Sequence, residues 1–534
     1  MESNIKNKEI YQKGIAFWQS NNLIDAKKTF EKLLKESPNN PEILSFIGII
    51  NLQLNQFEYG IKFLKLALKF SPNDQNIKLN LANALINFSN DLIKSNRFDD
   101  AGENLEEAIK LIPTNEIALI NLIKLNNETK NYKKIDEIYE NLNKFNLHNP
   151  DIFFLIGNSL FDQKKYQKAL EMYSKVIDVK PDNVECLFNM ALCYQYLDNF
   201  EMSLEKYRLC FEFDPNYKLA LFNLSLLFLR NNDFKNGWKY YKYRWFLEKN
   251  KGNYLFDQGS ELKSLKSISG KTLIWAEQGL GDQILFSSML NSLIKFSKKL
   301  TLSLDKRLIP LYIRSFPSIK FISSDDFINQ KDFENHLPLG SLGQYLRNSM
   351  KDFSDQPNYF LKCNKNLKDD LKKKIKISNK LVCGFSITSL NENYGNSKSV
   401  EIDDFFKNLK KLDYKFINLD YVDNTKEILK ASKKYNLDIE IAEDIDKFND
   451  IDSLAALISS CDLVISISNI TAHLAGALGV NTYLLVPSGK GKFWYWYDEK
   501  YSKWYPSITI KTSKENEWES TLQDLESELM GTFG

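Results

Sequence analysis

Two short stretches bring together residue types that chemistry needs. In WAEQGLGD, Gln278, Gly279 and Gly281 precede Asp282. Glycines let a backbone turn sharply and approach a ligand. A carboxylate at the mouth of such a turn either serves that ligand or caps the following helix. The G-x-G lacks the third glycine of a dinucleotide fingerprint, so it points to a tight turn more than to a dinucleotide. In LVISISNITAHLAGALG, Ser468, Asn469 and Thr471 lie between an apolar run and a segment of small residues. This is the pattern of a strand, a polar turn and a helix start. Free N–H groups and the helix dipole attract an anion there, and these side chains add hydroxyl or amide donors. The alternative is that Ser468 or Asn469 only caps the helix, while His473 satisfies a neighbouring carbonyl.

Other chemistry-bearing patterns are weaker. Asp444-Ile445-Asp446 and Asp450-Ile451-Asp452 have the D-x-D spacing that holds a divalent ion, but they precede DSLAALISS, where Asp450 or Asp452 is a natural N-cap. Six cysteines without a C-x-x-C pair and three histidines (His148, His336, His473) argue against structural zinc, disulfides and multi-histidine metal sites. No metal or other cofactor is expected. Trp494, Trp496, Trp504 and Tyr505 either stack on a sugar or base or pack between domains, and packing is the commoner role.

The elements that must position these residues belong to a long chain. At 534 residues it exceeds one hydrophobic core, and 43% hydrophobic and 26% charged residues suit globular protein. A formal net charge of +2 argues against nucleic acid as a partner. The opening MESNIKNKEIYQKG lacks the apolar core of a signal peptide, and no run of 18 apolar residues follows. The expectation is a cytoplasmic protein without a transmembrane segment, leaving only peripheral membrane association open.

Prolines at 38, 72, 113, 150, 181 and 215 are separated by 34, 41, 37, 31 and 34 residues. A period of 34 identifies tetratricopeptide (TPR) repeats, helical hairpins whose apolar faces are covered by their neighbours. Gly14, Ala26, Phe30 and Pro38 recur as Gly157, Ala169, Tyr173 and Pro181. Seven units are counted, with an extended first helix in the third and a degenerate fourth. The seventh runs into Trp238 and Trp245 and is expected to dock on the second half. Asn80, Asn121, Asn189 and Asn223 share the sixth position of the first helix, facing the concave groove. Carboxamides at repeat spacing can both donate to and accept from an extended peptide backbone, so the groove is expected to take a protein or peptide. The sequence is also simply rich in Asn.

After Glu248 a Gly/Ser-containing linker leads to KTLIWA, the glycine loop and QILFSSMLNSLIKF, which read as strand, loop and helix. KLTLSLD and IKFIS read as further strands, and LKDDLKKKIKISNK as a solvated helix. LVCGFSI, YKFINLD, CDLVISIS and NTYLLVP read as strands of a second lobe, alternating with helices as in a parallel sheet. The expected domains are a repeat array over 1–248, one Rossmann-like lobe over 249–375, and another over 376–534 ending in a helix.

The asparagine register resembles the ladder of the O-linked N-acetylglucosamine transferases. WAEQGLGDQILFSSML, SNITAHLAGALGVNTYLLVP and FWYWYDEKYSKWYPS together resemble bacterial proteins that fuse TPR repeats to a glycosyltransferase of the heptosyltransferase family, from about Leu219 onward. The resemblance implies a GT-B unit of two Rossmann-like lobes, the first for the acceptor and the second for a nucleotide-sugar. It implies metal-independent, inverting transfer with Asp282 as general base, Lys398 neutralising the leaving diphosphate, and Ser386 and Thr388 as phosphate donors, with a plain surface lysine at 398 as the alternative. The family usually has Asp and then Thr or Ser before the small-residue helix, where Ser468 and Asn469 stand here. That departure keeps a second expectation open, a non-catalytic repeat scaffold with a degenerate glycosyltransferase-like domain.

Overall fold

A computed structural model describes the chain except residues 1, 143–148, 248–260, 269, 376–379, 392–394, 490, 498, 514–516 and 534. The linker after Glu248 and the first expected domain boundary lie outside the described residues. Compactness divides the chain into Met1–Cys193 and Tyr194–Gly534. The division falls within one helix and earlier than the expected boundary.

The first unit is helical. Antiparallel pairs are formed by α1 (Glu2–Gln19) with α2 (Leu23–Glu36), α3 (Pro41–Gln53) with α4 (Phe57–Phe70), and α5 (Gln75–Lys94) with α6 (Phe98–Leu111). They continue with α7 (Glu116–Glu128) and α8 (Tyr132–Asn141), then α9 (Pro150–Asp162) and α10 (Tyr166–Val179). Helix α11 (Val184–Tyr196) carries the boundary. In the second unit α12 (Phe200–Phe213) follows, and α13 (Lys218–Arg230) pairs with α14 (Phe234–Tyr241).

Local chemistry explains the punctuation. Asn40, Asp74, Asn115, Asn149 and Asn183 each accept backbone N–H groups at the start of a first helix. Each turn within a pair holds one left-handed residue: Asn21, Asn55, Asn96, Lys130, Lys164, Asp198 and Asn232, at steps of 34, 41, 34, 34, 34 and 34. The repeat length is therefore unchanged through the fourth unit. Pro150 misleads because it opens α9 at the first helical position, where a missing N–H costs nothing, and does not close a repeat. The single long step is α5, whose 20 residues exceed the 13 of α3 by two helical turns, so its buried face is kept.

The second unit adds two parallel sheets. In the first, β1 (Thr272–Trp275), β2 (Leu300–Leu304), β3 (Lys320–Ser323) and β4 (Asn335–Pro338) lie in the order β3-β2-β1-β4. The second contains β5 (Leu381–Ser386), β6 (Tyr414–Asn418), β7 (Asp438–Glu440), β8 (Leu463–Ile467), β9 (Thr482–Val486) and β10 (Ile508–Thr512). Its order, β7-β6-β5-β8-β9-β10, is that of a doubly wound sheet. Both sheets reverse direction beside their first strand, at β1/β4 and at β5/β8, where such sheets leave a crevice at the strands' carboxyl ends. A helix over Glu519–Phe533 closes the second sheet, burying Leu522, Leu525 and Leu529.

The seventh helix pair belongs to this core. Leu229, Phe234, Trp238 and Tyr241 are buried in one cluster with Phe286, Leu339, Trp494 and Trp504. Gly343 makes room for Trp238, whose ring would lie 2.2 Å from any Cβ there, and Trp238 Nε1 donates to Arg347 O at 2.6 Å.

Candidate functional site

The residues singled out from both sheets come together at the two reversal points. The loop after β1 runs into the helix Leu280–Ser287, with Gly279 at its N-cap in ordinary extended backbone. Asp282 sits in the first turn, where the dipole favours a carboxylate. Glycine is needed at 281 for space and not for conformation: a Cβ would lie 2.8 Å from His473 Cδ2 and 3.1 Å from its Nε2. The expected sharp glycine turn is thus corrected to a close approach between this loop and the helix Ile470–Leu478. Gln278, expected on the acceptor-side loop, is engaged within the protein. It is half-buried, and its amide is held by the Tyr241 hydroxyl at 3.0 and 3.3 Å and by Glu277 Oε1 at 3.3 Å.

The second sheet supplies a buried cation. Lys398 is 5% exposed, and Nζ donates to Ser468 O at 2.7 Å. That carbonyl is its one hydrogen-bond partner among the described residues, leaving two of its three N–H groups over. Burial pulls its pKa down to about 8, while the Asp282 carboxylate opposes the shift. Asp282 and Lys398, carried by different sheets, therefore feel one another. His473 is 2% exposed, with Nδ1 2.8 Å from the Tyr505 hydroxyl. Burial first and the Lys398 charge second lower it to about 3, so it is a neutral imidazole. The phenol is the better donor of the two, which assigns Nε2–H to the side facing Gly281.

The phosphate grip expected at the start of the helix Ile470–Leu478 is not formed. Asn469 Oδ1 accepts from Thr471 N at 3.0 Å and Ala472 N at 3.4 Å, so the side chain occupies the donors an anion would need. Asn469 Nδ2 donates to Ser386 Oγ, which donates to Asp420 Oδ1, both at 2.8 Å. Ser386 is fully buried and committed to this chain of bonds. Ser468 Oγ accepts from Trp496 Nε1 at 2.8 Å, and Thr471 is fully buried. Thr388 keeps a partly exposed position; its N–H donates to Asp420 Oδ1 at 3.1 Å and its hydroxyl accepts from Asn424 Nδ2 at 3.3 Å. At Gly281 and Ser468 side chains fill the space. Accessibility remains around Gly279, Asp282 and Thr388.

Asp420 was missed in the sequence. Placed just after β6 and 2% exposed, it fixes the loop after β5 through Ser386, Ile387 N, Thr388 N and Asn424, and burial raises its pKa against these donors. Only its place at the end of a strand could have flagged it. Trp494, Trp496, Trp504 and Tyr505 are all buried. Asp450 caps the helix Ile451–Ser460 through Ser453 N, and Asp452 pairs with Arg314 at 2.8 Å. Asp446 accepts from Phe448 N and Asn449 N.

Asn80, Asn121, Asn189 and Asn223 each occupy the sixth residue of α5, α7, α11 and α13, and each is partly exposed. Asn121 donates to Asn90 at 3.2 Å, and Asn189 to Asn158 at 2.9 Å. Asn223, in the second unit, donates to Leu219 O at 3.0 Å.

Models of the tetratricopeptide repeat match residues 11–75, 150–183 and 184–217. These stretches are tetratricopeptide repeats. Protein FlbA of Caulobacter vibrioides is 28% identical over 277 residues, covering 48% of this chain and 46% of that protein. The chain thus spans less than half the length of this curated relative. Among solved structures, YrrB, described as a TPR protein with an unusual peptide-binding site, is 18% identical with a TM-score of 0.29, over 36% of this chain and 96% of that one. The C-terminal part of a TPR repeat-containing protein from Cytophaga hutchinsonii is 16% identical with a TM-score of 0.32, over 46% and 97%. Superpositions this loose add nothing to what the helices themselves show. Among the described residues no helix is long and apolar enough to cross a membrane.

Proposed function

We propose that the chain is a repeat-guided glycosyltransferase. Repeat arrays present surfaces that bind peptides and proteins. Here they would recruit a protein acceptor or a partner of a surface-glycan pathway, with Asn80, Asn121 and Asn189 of the first unit holding an extended segment. The two sheets would face one GT-B cleft, in which a sugar passes from a nucleotide-sugar to an acceptor hydroxyl.

One observation carries the reading. A buried ammonium without an ion pair is costly, and among the described residues Lys398 is such a group, its only hydrogen bond going to the Ser468 carbonyl, with the charge of Asp282 acting on it from the other sheet. An anionic ligand would complete it. In the transfer, Asp282 takes the proton of the acceptor hydroxyl as its oxygen forms a bond to the anomeric carbon. The bond from that carbon to the phosphate oxygen breaks, and the electron pair leaves with the nucleoside diphosphate. The spare N–H groups of Lys398 offset the developing charge. Attack opposite to departure inverts the centre, and no step calls for a metal.

A second reading is a repeat scaffold whose α/β part binds no nucleotide. It is favoured by Asn469 and Trp496, which occupy the turn before the helix Ile470–Leu478. Thermal unfolding with a panel of nucleoside diphosphates separates the two. A ligand at a hundred times its dissociation constant adds about 2.7 kcal/mol to the folded state. Stabilisation lost in Lys398→Met, together with sugar transfer lost in Asp282→Asn while nucleotide still binds, supports the transferase. No shift with any nucleotide supports the scaffold.

A further inference from the structure

We infer that Tyr241, at the end of the last helix pair, and Arg244, in the turn after it, are positioning residues for the loop that carries Asp282. The inference rests on the transferase reading for its catalytic consequence, although the geometry stands without it. Arg244 lies in the turn Lys242–Phe246 directly after α14. Its guanidinium reaches the reversal point of the first sheet and bridges both strand ends there. Nη2 donates to Glu277 Oε1 at 3.0 Å and to Ser341 Oγ at 2.8 Å, and Nε donates to Glu277 Oε1 at 3.3 Å. Glu277 also accepts from Gly340 N at 3.2 Å, so one carboxylate ties the end of β1 to the segment after β4.

Both side chains of the pair are 3% exposed, and the guanidinium is stacked 4.8 Å from Tyr241 and 4.5 Å from Trp245. One residue further along, the Tyr241 hydroxyl holds the Gln278 amide. Gln278 O in turn accepts from Gln283 Nε2 at 2.9 Å, inside the helix that bears Asp282. Burial raises the Tyr241 phenol above its ordinary range, and among the nearby charges Asp282 adds to the rise, placing the hydroxyl within that carboxylate's field. A buried ion pair contributes little net stability compared with apolar residues of the same shape. What this one supplies is direction: Glu277 and Gln278 are fixed from outside the sheet, by the last repeat, at the point where the loop leaves β1.

The test uses the full chain as wild type, Tyr241→Phe, Arg244→Lys and the double variant Arg244→Met/Glu277→Leu. Hydrogen exchange of the amides over 277–283 is the primary readout, with tryptophan fluorescence for stability. Tyr241→Phe and Arg244→Lys are expected to exchange about tenfold faster over 277–283 while the helix Ile470–Leu478 is unchanged. The double variant is expected to regain wild-type stability without regaining that protection. Where sugar transfer is measurable, kcat falls about tenfold with the donor KM unaltered. Wild-type exchange in Tyr241→Phe and in the double variant overturns the inference. Absence of transfer by the wild type refutes the transferase reading alone, because the exchange data still decide the loop's dependence on α14 and the turn after it.

Discussion

Replacing Lys398 with methionine is expected to stabilise the second unit at neutral pH and to abolish nucleotide binding, two effects of opposite sign from one side chain. Burial lowers this lysine from 10.5 to about 8. Below pH 8 the folded and unfolded chains both hold the proton, so the fold carries the whole burial penalty, about 3 kcal/mol for a shift of this size. Between 8 and 10.5 the unfolded chain binds a proton that the folded chain lacks, and stability rises with pH. Methionine removes the penalty at pH 7 but leaves the Ser468 carbonyl without its donor, a loss of about 1–2 kcal/mol. The net gain is therefore about 1–2 kcal/mol at pH 7, and it changes sign near pH 10, where the wild-type amine is neutral and still donates. Urea unfolding at pH 7, 8, 9 and 10, followed by tryptophan fluorescence, reads this directly, since seven of the eight tryptophans lie beyond residue 193. A variant less stable than wild type at pH 7, or a difference that does not vary with pH, refutes the reasoning.

Two further outcomes are expected from the same site. With His473 lowered to about 3, the unfolded chain takes up a proton below pH 6.5 that the folded chain refuses, so stability falls with pH across that window. His473→Gln should shrink the loss between pH 7 and 5 by about 2 kcal/mol, measured by urea unfolding; an unaltered loss would exclude a neutral buried imidazole. Gly281→Ala forces a methyl against the His473 ring, itself packed 5.2–5.7 Å from Tyr495, Trp496 and Tyr505, and should cost about 1–3 kcal/mol. Gly279→Ala, whose new atom would meet only Asp282 at 3.8 Å, should cost less than about 1 kcal/mol; equal costs at the two positions would sink the account.

The repeats were legible because their punctuation is local. The prolines gave a period of 34, and the left-handed residues of the turns keep that period better than the prolines do. Seven strands were readable as apolar runs. The three that were not fail for particular reasons: NHLP in β4 holds a proline and a polar start, DIE in β7 is only three residues long, and ITIKT in β10 hides behind an aromatic tail. The candidate site was legible as residue types and not as surroundings. Nothing in NSKSV distinguishes a buried lysine from a surface one. Asn469 was read as a phosphate donor or a cap, and the cap won because a carboxamide already within reach of two N–H groups needs no ligand. Asp420 escaped because Ser386, Ile387 and Thr388, which it fixes, lie at the end of another strand, beyond the reach of any spacing rule.

The notch at Gly343 sets a limit on how this chain can be lengthened. Units of 34 residues depend only on their neighbours, so insertion or deletion among the earlier hairpins leaves each remaining interface of the same kind. The final hairpin has no such freedom, because the indole of Trp238 fills a hollow shaped for it alone. Chains of this build can trade repeats at their amino-terminal side, whereas loss of the last one would open the interior of the two-sheet unit to water.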